Sequence, residues 1–133
     1  ETLLRLRPAR MRKAGLSRPK IGYCRGIARA VASGALDLDG LGRRDDTDAI
    51  AHLTQVKGIG RWTAEPFLMF RLHRPDVLPV GDLGIVQAVQ KAYRLRKTPT
   101  AERLTRIGES WRPFRSVACW YLWASLENTP LKD

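Results

Sequence analysis

Several absences narrow the reading of these 133 residues. No apolar run approaches the roughly 20 residues that span a bilayer. The opening stretch, from Glu1 through Arg5, Arg7, Arg10 and Arg12, is basic and short, so no signal peptide is expected there. Cys24 and Cys119 are the only cysteines, too few for a four-thiolate zinc or iron–sulfur site. Both fall on apolar faces, so buried free thiols in a reducing cytoplasm are expected in preference to a disulfide. Acid is scarce too: 13 Asp and Glu stand against 24 Lys and Arg, a formal net charge of +11. The usual partners of such a surface are polyanions, either nucleic acid or an anionic membrane; a basic face without a partner is the plain alternative. The strict alternation of a half-buried strand is missing throughout, as is any internal repeat.

What is present is helical periodicity. The 44% hydrophobic content suits a globular chain and argues against disorder. Pro8 to Ala14 reads as a short helix stopped by Gly15. Ser17 is a candidate N-cap, with Pro19 tolerated in the first turn, and Ile21, Cys24, Ile27, Ala28 and Val31 then share one face until Gly34. Ala35 to Arg44 reads as a loop. A helix starts at Asp46 or Thr47 and ends at Lys57-Gly58-Ile59-Gly60. Trp62 to Leu72 is apolar nearly all round, which predicts a buried helix, with Pro66 about one turn in. Asp82 precedes an amphipathic run through Ile85, Val86, Val89 and Ala92. Thr98-Pro99 predicts a cap and a proline at the first helical position, with Gly108 as the stop. Pro113 opens a last apolar helix through Trp120, Tyr121 and Trp123. The fold class is all-α, read as a single helical domain over 1–133.

Two segments carry chemistry. In Leu53-Thr54-Gln55-Val56-Lys57-Gly58-Ile59-Gly60-Arg61-Trp62-Thr63-Ala64, two helices flank a turn with glycines two apart. Glycine permits the tight bend and the approach of another backbone. The second helix presents its first N–H groups and positive dipole end, an anion site that fits a phosphate. Ile59 is an apolar peg, and Lys57 and Arg61 add positive charge. Taken alone, the turn is also compatible with an ordinary αα-hairpin. The second segment is Arg74-Pro75-Asp76-Val77-Leu78-Pro79-Val80-Gly81-Asp82. Taken alone, Asp82 before Leu83 is a good N-cap, and Asp76 a plain loop acid.

Together these segments resemble the helix-hairpin-helix base-excision DNA glycosylases, most closely the 3-methyladenine DNA glycosylase II family, with the motif at about 46–72. The resemblance implies that Gly58, Gly60 and Thr63 offer main-chain amides to the DNA backbone. It further implies that the carbonyls of Thr54, Val56 and Ile59 hold a Na or K ion, with no transition metal and no other cofactor required. Asp82 matches the catalytic carboxylate of the superfamily. Cleaving an N-glycosidic bond builds positive charge on the sugar, and a carboxylate beside it stabilises that charge and orients water. Members that also cut the DNA backbone carry a Schiff-base lysine two positions after the second hairpin glycine. Here that position is Trp62, which implies a monofunctional hydrolase that leaves an abasic site.

Trp62-Thr63-Ala64 follows the alkylated-purine branch, and Trp111-Arg112-Pro113-Phe114-Arg115-Ser116 resembles its C-terminal signature. Trp62 and then Trp111 are the candidates for stacking on a flipped, cationic base. Pro66 departs from the aromatic or Met usual at that position of the pocket. Trp120 and Trp123 are expected in the core, and His52, His73 and Tyr93 as structural or surface residues. The resemblance also implies an earlier helix that wedges into DNA, which this sequence lacks, so a piece of a longer enzyme is expected. The implied partner is double-stranded DNA, bound by a monomer in a bacterial cytoplasm with no membrane role. The competing reading is a non-catalytic helix-hairpin-helix module that binds the DNA backbone. Asp82 separates the two, since a binding module has no use for a carboxylate that repels phosphate.

Overall fold

Short polar side chains placed just before apolar runs set where the helices begin. In the computed structural model, which describes residues 2–127, Ser17 Oγ accepts the Lys20 amide at 3.5 Å. Asp45 accepts the Asp48 amide at 2.8 Å, Asp82 that of Ile85 at 2.9 Å and Thr100 that of Arg103 at 3.3 Å. Each satisfies one of the N–H groups a helix start leaves over. The described residues contain no strand, so the all-α expectation holds. None of their helices is long and apolar enough to cross a membrane. The chain divides into two compact units, one ending at Ala64 and one beginning at Glu65.

In the first unit, α1 (Thr2–Arg5), α2 (Pro8–Lys13), α3 (Arg18–Ala32) and α4 (Asp46–Thr54) follow in order. Positive φ at Gly15 (92°) and Gly34 (77°) carries the chain past the ends of α2 and α3. Both α1 and α2 pack on α3. The Arg25 guanidinium donates to the Leu4 and Leu6 carbonyls at 3.4 and 2.9 Å and ties the end of α1 to α3. Met11, Ile21, Leu36, Leu41, Ala49 and Leu53 are buried. The expected loop from Ala35 to Arg44 contains a 3-10 turn over Gly40–Arg43, opened by the Gly40 amide donating to Asp37 Oδ1 at 2.9 Å.

The division between units falls within α5 (Arg61–Phe70), and the second unit continues through α6 (Leu83–Ala92), α7 (Ala101–Gly108) and α8 (Arg115–Glu127). α6 packs along α8. Ile85, Ala88 and Val89, at i, i+3 and i+4, are fully buried with Leu104 and Cys119; Ile85, Val89 and Leu104 each contribute roughly 1.5–3 kcal/mol. Three expectations are corrected. The cap of α7 is Thr100, not Thr98: Pro99 is buried ahead of the helix, and Thr98 Oγ1 bonds Gln90 Oε1 at 3.3 Å. The last helix starts at Arg115, two residues after Pro113. Third, α5 and α8 are not buried on every side: Trp62, Phe70, Trp120 and Tyr121 are exposed. Phe70 and Trp120 line an open cleft of about 390 Å³ in the second unit.

The segment from Arg74 to Val77 is pinned to the first turn of α8. Ser116 Oγ donates to the Arg74 carbonyl at 2.7 Å and accepts the Val77 amide at 2.9 Å. Arg115 reaches Asp76 Oδ1 at 2.6 Å and its carbonyl at 2.7 Å, and Arg112 reaches Asp76 Oδ2 at 2.7 Å. Asp76 is therefore the hub of this brace and not a plain loop acid. Burial pushes its carboxyl up, but the hydrogen bonds and charge of Arg115, with the charge of Arg112, outweigh burial and hold it below the ordinary 3.8.

Two stability tests follow from these contacts. By urea unfolding, Thr100→Ala lowers stability by about 1 kcal/mol, whereas Thr98→Ala changes it by less than about 0.5 kcal/mol. Asp76→Asn lowers stability at pH 7 by on the order of 1–3 kcal/mol, because the half-buried Arg115 loses its partner. Folding depresses the Asp76 pKa, so its stabilisation is complete above the ordinary 3.8 and is lost as pH falls through the lower folded value. The gap between parent and Asp76→Asn is accordingly flat from pH 7 to 5 and closes below about pH 4.

Candidate active site

The turn of the hairpin lies in the first unit. After α4 ends at Thr54, residues 55–60 make the turn and Arg61 opens α5. The Val56 amide donates to the Leu53 carbonyl at 3.2 Å, and that of Ile59 to the Val56 carbonyl at 2.9 Å, which closes the bend. Gly58 has φ +101°, a conformation costly for any side-chain-bearing residue. A Cβ there would also fall into the ring of Tyr23 from α3, so glycine is required twice over. Ile59 is half-buried, as a peg should be, while Lys57, Gly60, Arg61 and Thr63 are exposed. The Thr63 amide donates to the Gly60 carbonyl at 2.9 Å, within the first turn of α5. Trp62 is 64% exposed, so much of its indole surface faces solvent.

The expected alkali-ion donors are of the appropriate type. The family resemblance assigns the main-chain oxygens of Thr54, Val56 and Ile59, and the Val56 carbonyl already accepts the Ile59 amide at 2.9 Å. Such oxygens are hard ligands suited to hard cations. The described residues hold no cluster of His, Cys, Asp or Glu fit for a metal ion.

The carboxylate lies in the second unit. Asp82 is half-buried at the N-cap of α6, with extended backbone (φ −80°, ψ 120°). Its amide donates to the Pro79 carbonyl at 3.0 Å, so the Pro79-Val80-Gly81 turn delivers it. Asp82 Oδ1 accepts the Ile85 amide at 2.9 Å and the Trp123 indole N–H, also at 2.9 Å. Trp123 in turn meets Phe70, ring centroids 6.0 Å apart. Gly84 completes the packing: a Cβ there would stand 3.0 Å from Asp82 Oδ1 and 3.1 Å from the indole. Cys119 is buried nearby, one turn before Trp123. Its thiol is pushed up to about 12 by burial and then by the Asp82 charge, so it stays protonated and is no nucleophile at neutral pH.

Trp123, expected in the core, thus stands at the carboxylate, whereas Trp111 does not. Trp111 donates its indole N–H to Tyr93 Oη at 3.0 Å. Tyr93 is the C-cap of α6 and Asp82 its N-cap, on the order of 15 Å apart by helical rise. Pro66 sits inside α5, half-buried. Trp120, also expected in the core, is 67% exposed. Neither tryptophan of α8 could be placed from sequence, because that helix is apolar on all sides. The one available signal was spacing: Ser116, Cys119 and Trp123 fall at i, i+3 and i+7 on one face.

Residues 1–113 match the family model described as HhH-GPD superfamily base excision DNA repair protein. The chain is 42% identical over 114 residues to DNA-3-methyladenine glycosylase 1 of Schizosaccharomyces pombe, covering 85% of this chain and 50% of the relative. It is 32% identical over 126 residues to a DNA-3-methyladenine glycosylase of Bacillus subtilis, covering 95% of this chain and 42% of that one. Among solved structures, the Schizosaccharomyces pombe 3-methyladenine DNA glycosylase in complex with abasic DNA superposes with a TM-score of 0.89 at 36% identity, over 98% of this chain and 64% of that chain. A DNA-3-methyladenine glycosidase of Bacillus halodurans gives 0.82 at 40% identity, over 95% and 58%. The chain spans about half the length of the curated relatives it matches.

Proposed function

The chain belongs to the HhH-GPD superfamily of base excision DNA repair proteins, and on that premise we propose that it hydrolyses the N-glycosidic bond of alkylated purines in duplex DNA, such as 3-methyladenine or 7-methylguanine. The observation that carries this reading is Asp82, capped onto α6 and held by a second donor from α8. As the bond from the sugar to the base nitrogen lengthens, positive charge builds on the deoxyribose. The carboxylate stabilises that charge and orients the water that adds at the sugar carbon, leaving free base and an abasic site. The amide and the indole on Oδ1 are neutral donors, so they orient the group without cancelling its charge.

N3 or N7 methylation makes a purine cationic, and the exposed indole of Trp62 offers the π-face such a base prefers. Trp62 also leaves no amine at the Schiff-base position, which favours hydrolysis over a lyase step. The hairpin from Lys57 to Thr63 takes the DNA backbone, with a Na or K ion on the Thr54, Val56 and Ile59 carbonyls stiffening the turn. The chain acts as a monomer on double-stranded DNA.

Base release from methylated duplex DNA under single turnover tests the reading. Asp82→Asn lowers the rate by about 10²–10³-fold with duplex affinity unchanged; equal rates would remove Asp82 from the mechanism. Trp123→Phe keeps the ring but not the N–H, and lowers the same rate by about 10–100-fold through loss of carboxylate alignment. An unchanged rate in Trp123→Phe would reduce that contact to packing. If parent and Asp82→Asn both bind duplex and neither releases base, the chain is a non-catalytic DNA-binding module.

A further inference from the structure

Between Thr2 and Leu36 the sequence carries nine Lys and Arg and no Asp or Glu. Arg25 is half-buried and donates to the Leu4 and Leu6 carbonyls inside the first unit. The others, among them Arg10, Arg12 and Lys13 on α2 and Arg18, Lys20 and Arg29 on α3, are exposed. So long a basic stretch without a compensating acid is self-repelling, and the packing of α1 and α2 on α3 concentrates it. Such a surface attracts a polyanion.

The strip is continuous with the hairpin. Within the first unit, a groove of about 550 Å³ is lined by Tyr23 and Arg29 of α3 and by Val56 and Lys57 of the hairpin turn. Gly22 and Gly26 form its floor, and the space where a Cβ would stand is open at both. Arg18 and Arg29 are eleven residues apart, three helical turns, so they lie along one flank of α3 about 16 Å from each other. Lys57 stands on the other side, next to the Gly58 bend that Tyr23 packs against.

We propose that the α2–α3 face is a second phosphate-binding strip, which holds a DNA sugar–phosphate backbone along the groove that Arg29 and Lys57 share. The inference rests on the hairpin being a DNA-backbone site. It adds that the contact extends along α3 instead of ending at the turn. A concave groove with cations on both walls suits a strand, whereas the flat surface of an anionic membrane would not enter it.

The test is the salt dependence of binding to an undamaged, fluorescein-labelled duplex, read by anisotropy between 50 and 200 mM salt. Removing one cation that neutralises a phosphate lowers the slope of log K against log salt by about 0.9. Arg29→Gln alone lowers it by about 0.9, and the combined Arg10→Gln, Lys13→Gln, Arg18→Gln and Arg29→Gln chain by more. Gln is nearly as good a helix former as Arg, and the single variant decides the matter if the combined one loses its circular dichroism. Parental slopes in both variants overturn the proposal, as does an effect confined to binding of phosphatidylserine vesicles. Lys57→Gln separates this idea from its premise. A drop in slope for Lys57→Gln with none for the α3 variants overturns the strip and leaves the hairpin reading standing. The reverse pattern overturns the shared groove, because Lys57 forms one of its walls, and it removes that side chain from the hairpin reading as well.

Discussion

One helix, α8, holds the second unit's functional segment at both ends. Its first turn fixes Arg74 to Val77 through Ser116 and Arg115. Two turns later, on the same face, the Trp123 indole fixes Asp82. Ser116 and Trp123 are seven residues apart, about 10 Å of helix, and the loop between the two attachment points is stiffened by Pro75 and Pro79. A rigid rod thus sets the distance that a loop of nine residues must cover. The carboxylate position is consequently determined by packed side chains more than by the loop's own preferences.

In the proposed reaction Asp82 is at once a helix cap and the reacting carboxylate, and the same arrangement accommodates both. A cap needs a side-chain oxygen aimed at the third amide of the helix. That requirement fixes χ1 and brings Oδ1 to the Ile85 amide. The second donor, Trp123, adds alignment from across the α6–α8 interface. Substituting Gly84 would crowd both partners at once, so the first turn of α6 is shaped around this contact. Asp76, by contrast, is bound by two guanidinium groups. Two aspartates six residues apart on one loop thereby take different work: one charge is consumed in the brace, and the other is aligned by neutral donors at Oδ1.

The legible part of the sequence was local. Ser17, Asp82, Gly15 and Gly34 announce their helix ends through caps and stops, and Gly58 through a bend that only glycine tolerates. The hairpin and Asp82 were also visible as a pattern, because both depend on residue types at fixed short spacing. What sequence hid was every contact between elements. Trp123 reaches Asp82 across 41 residues and Arg115 reaches Asp76 across 39. Thr98 and Thr100 flank one proline and are equally fit to cap; tertiary burial of Pro99 decides between them. An all-round apolar pattern on α8 says that the helix packs, but not with which face, and so both Trp120 and Trp123 were expected in the core, whereas Trp120 is exposed and Trp123 stands at Asp82.

The proposed activity makes two electrostatic demands. Holding a polyanion asks for positive charge, and stabilising a cationic sugar asks for a localised negative one. Spreading both along the chain would cancel them. Here the acid-free stretch from Thr2 to Leu36 gathers positive charge on α1, α2 and α3. The acids of the α8 brace, Asp76 and Glu109, are paired with Arg112 and Arg115, which makes the brace close to neutral. Outside the brace, Asp82 and the buried Glu65 both bear on the Cys119 thiol of α8, so negative charge is gathered at that part of the second unit.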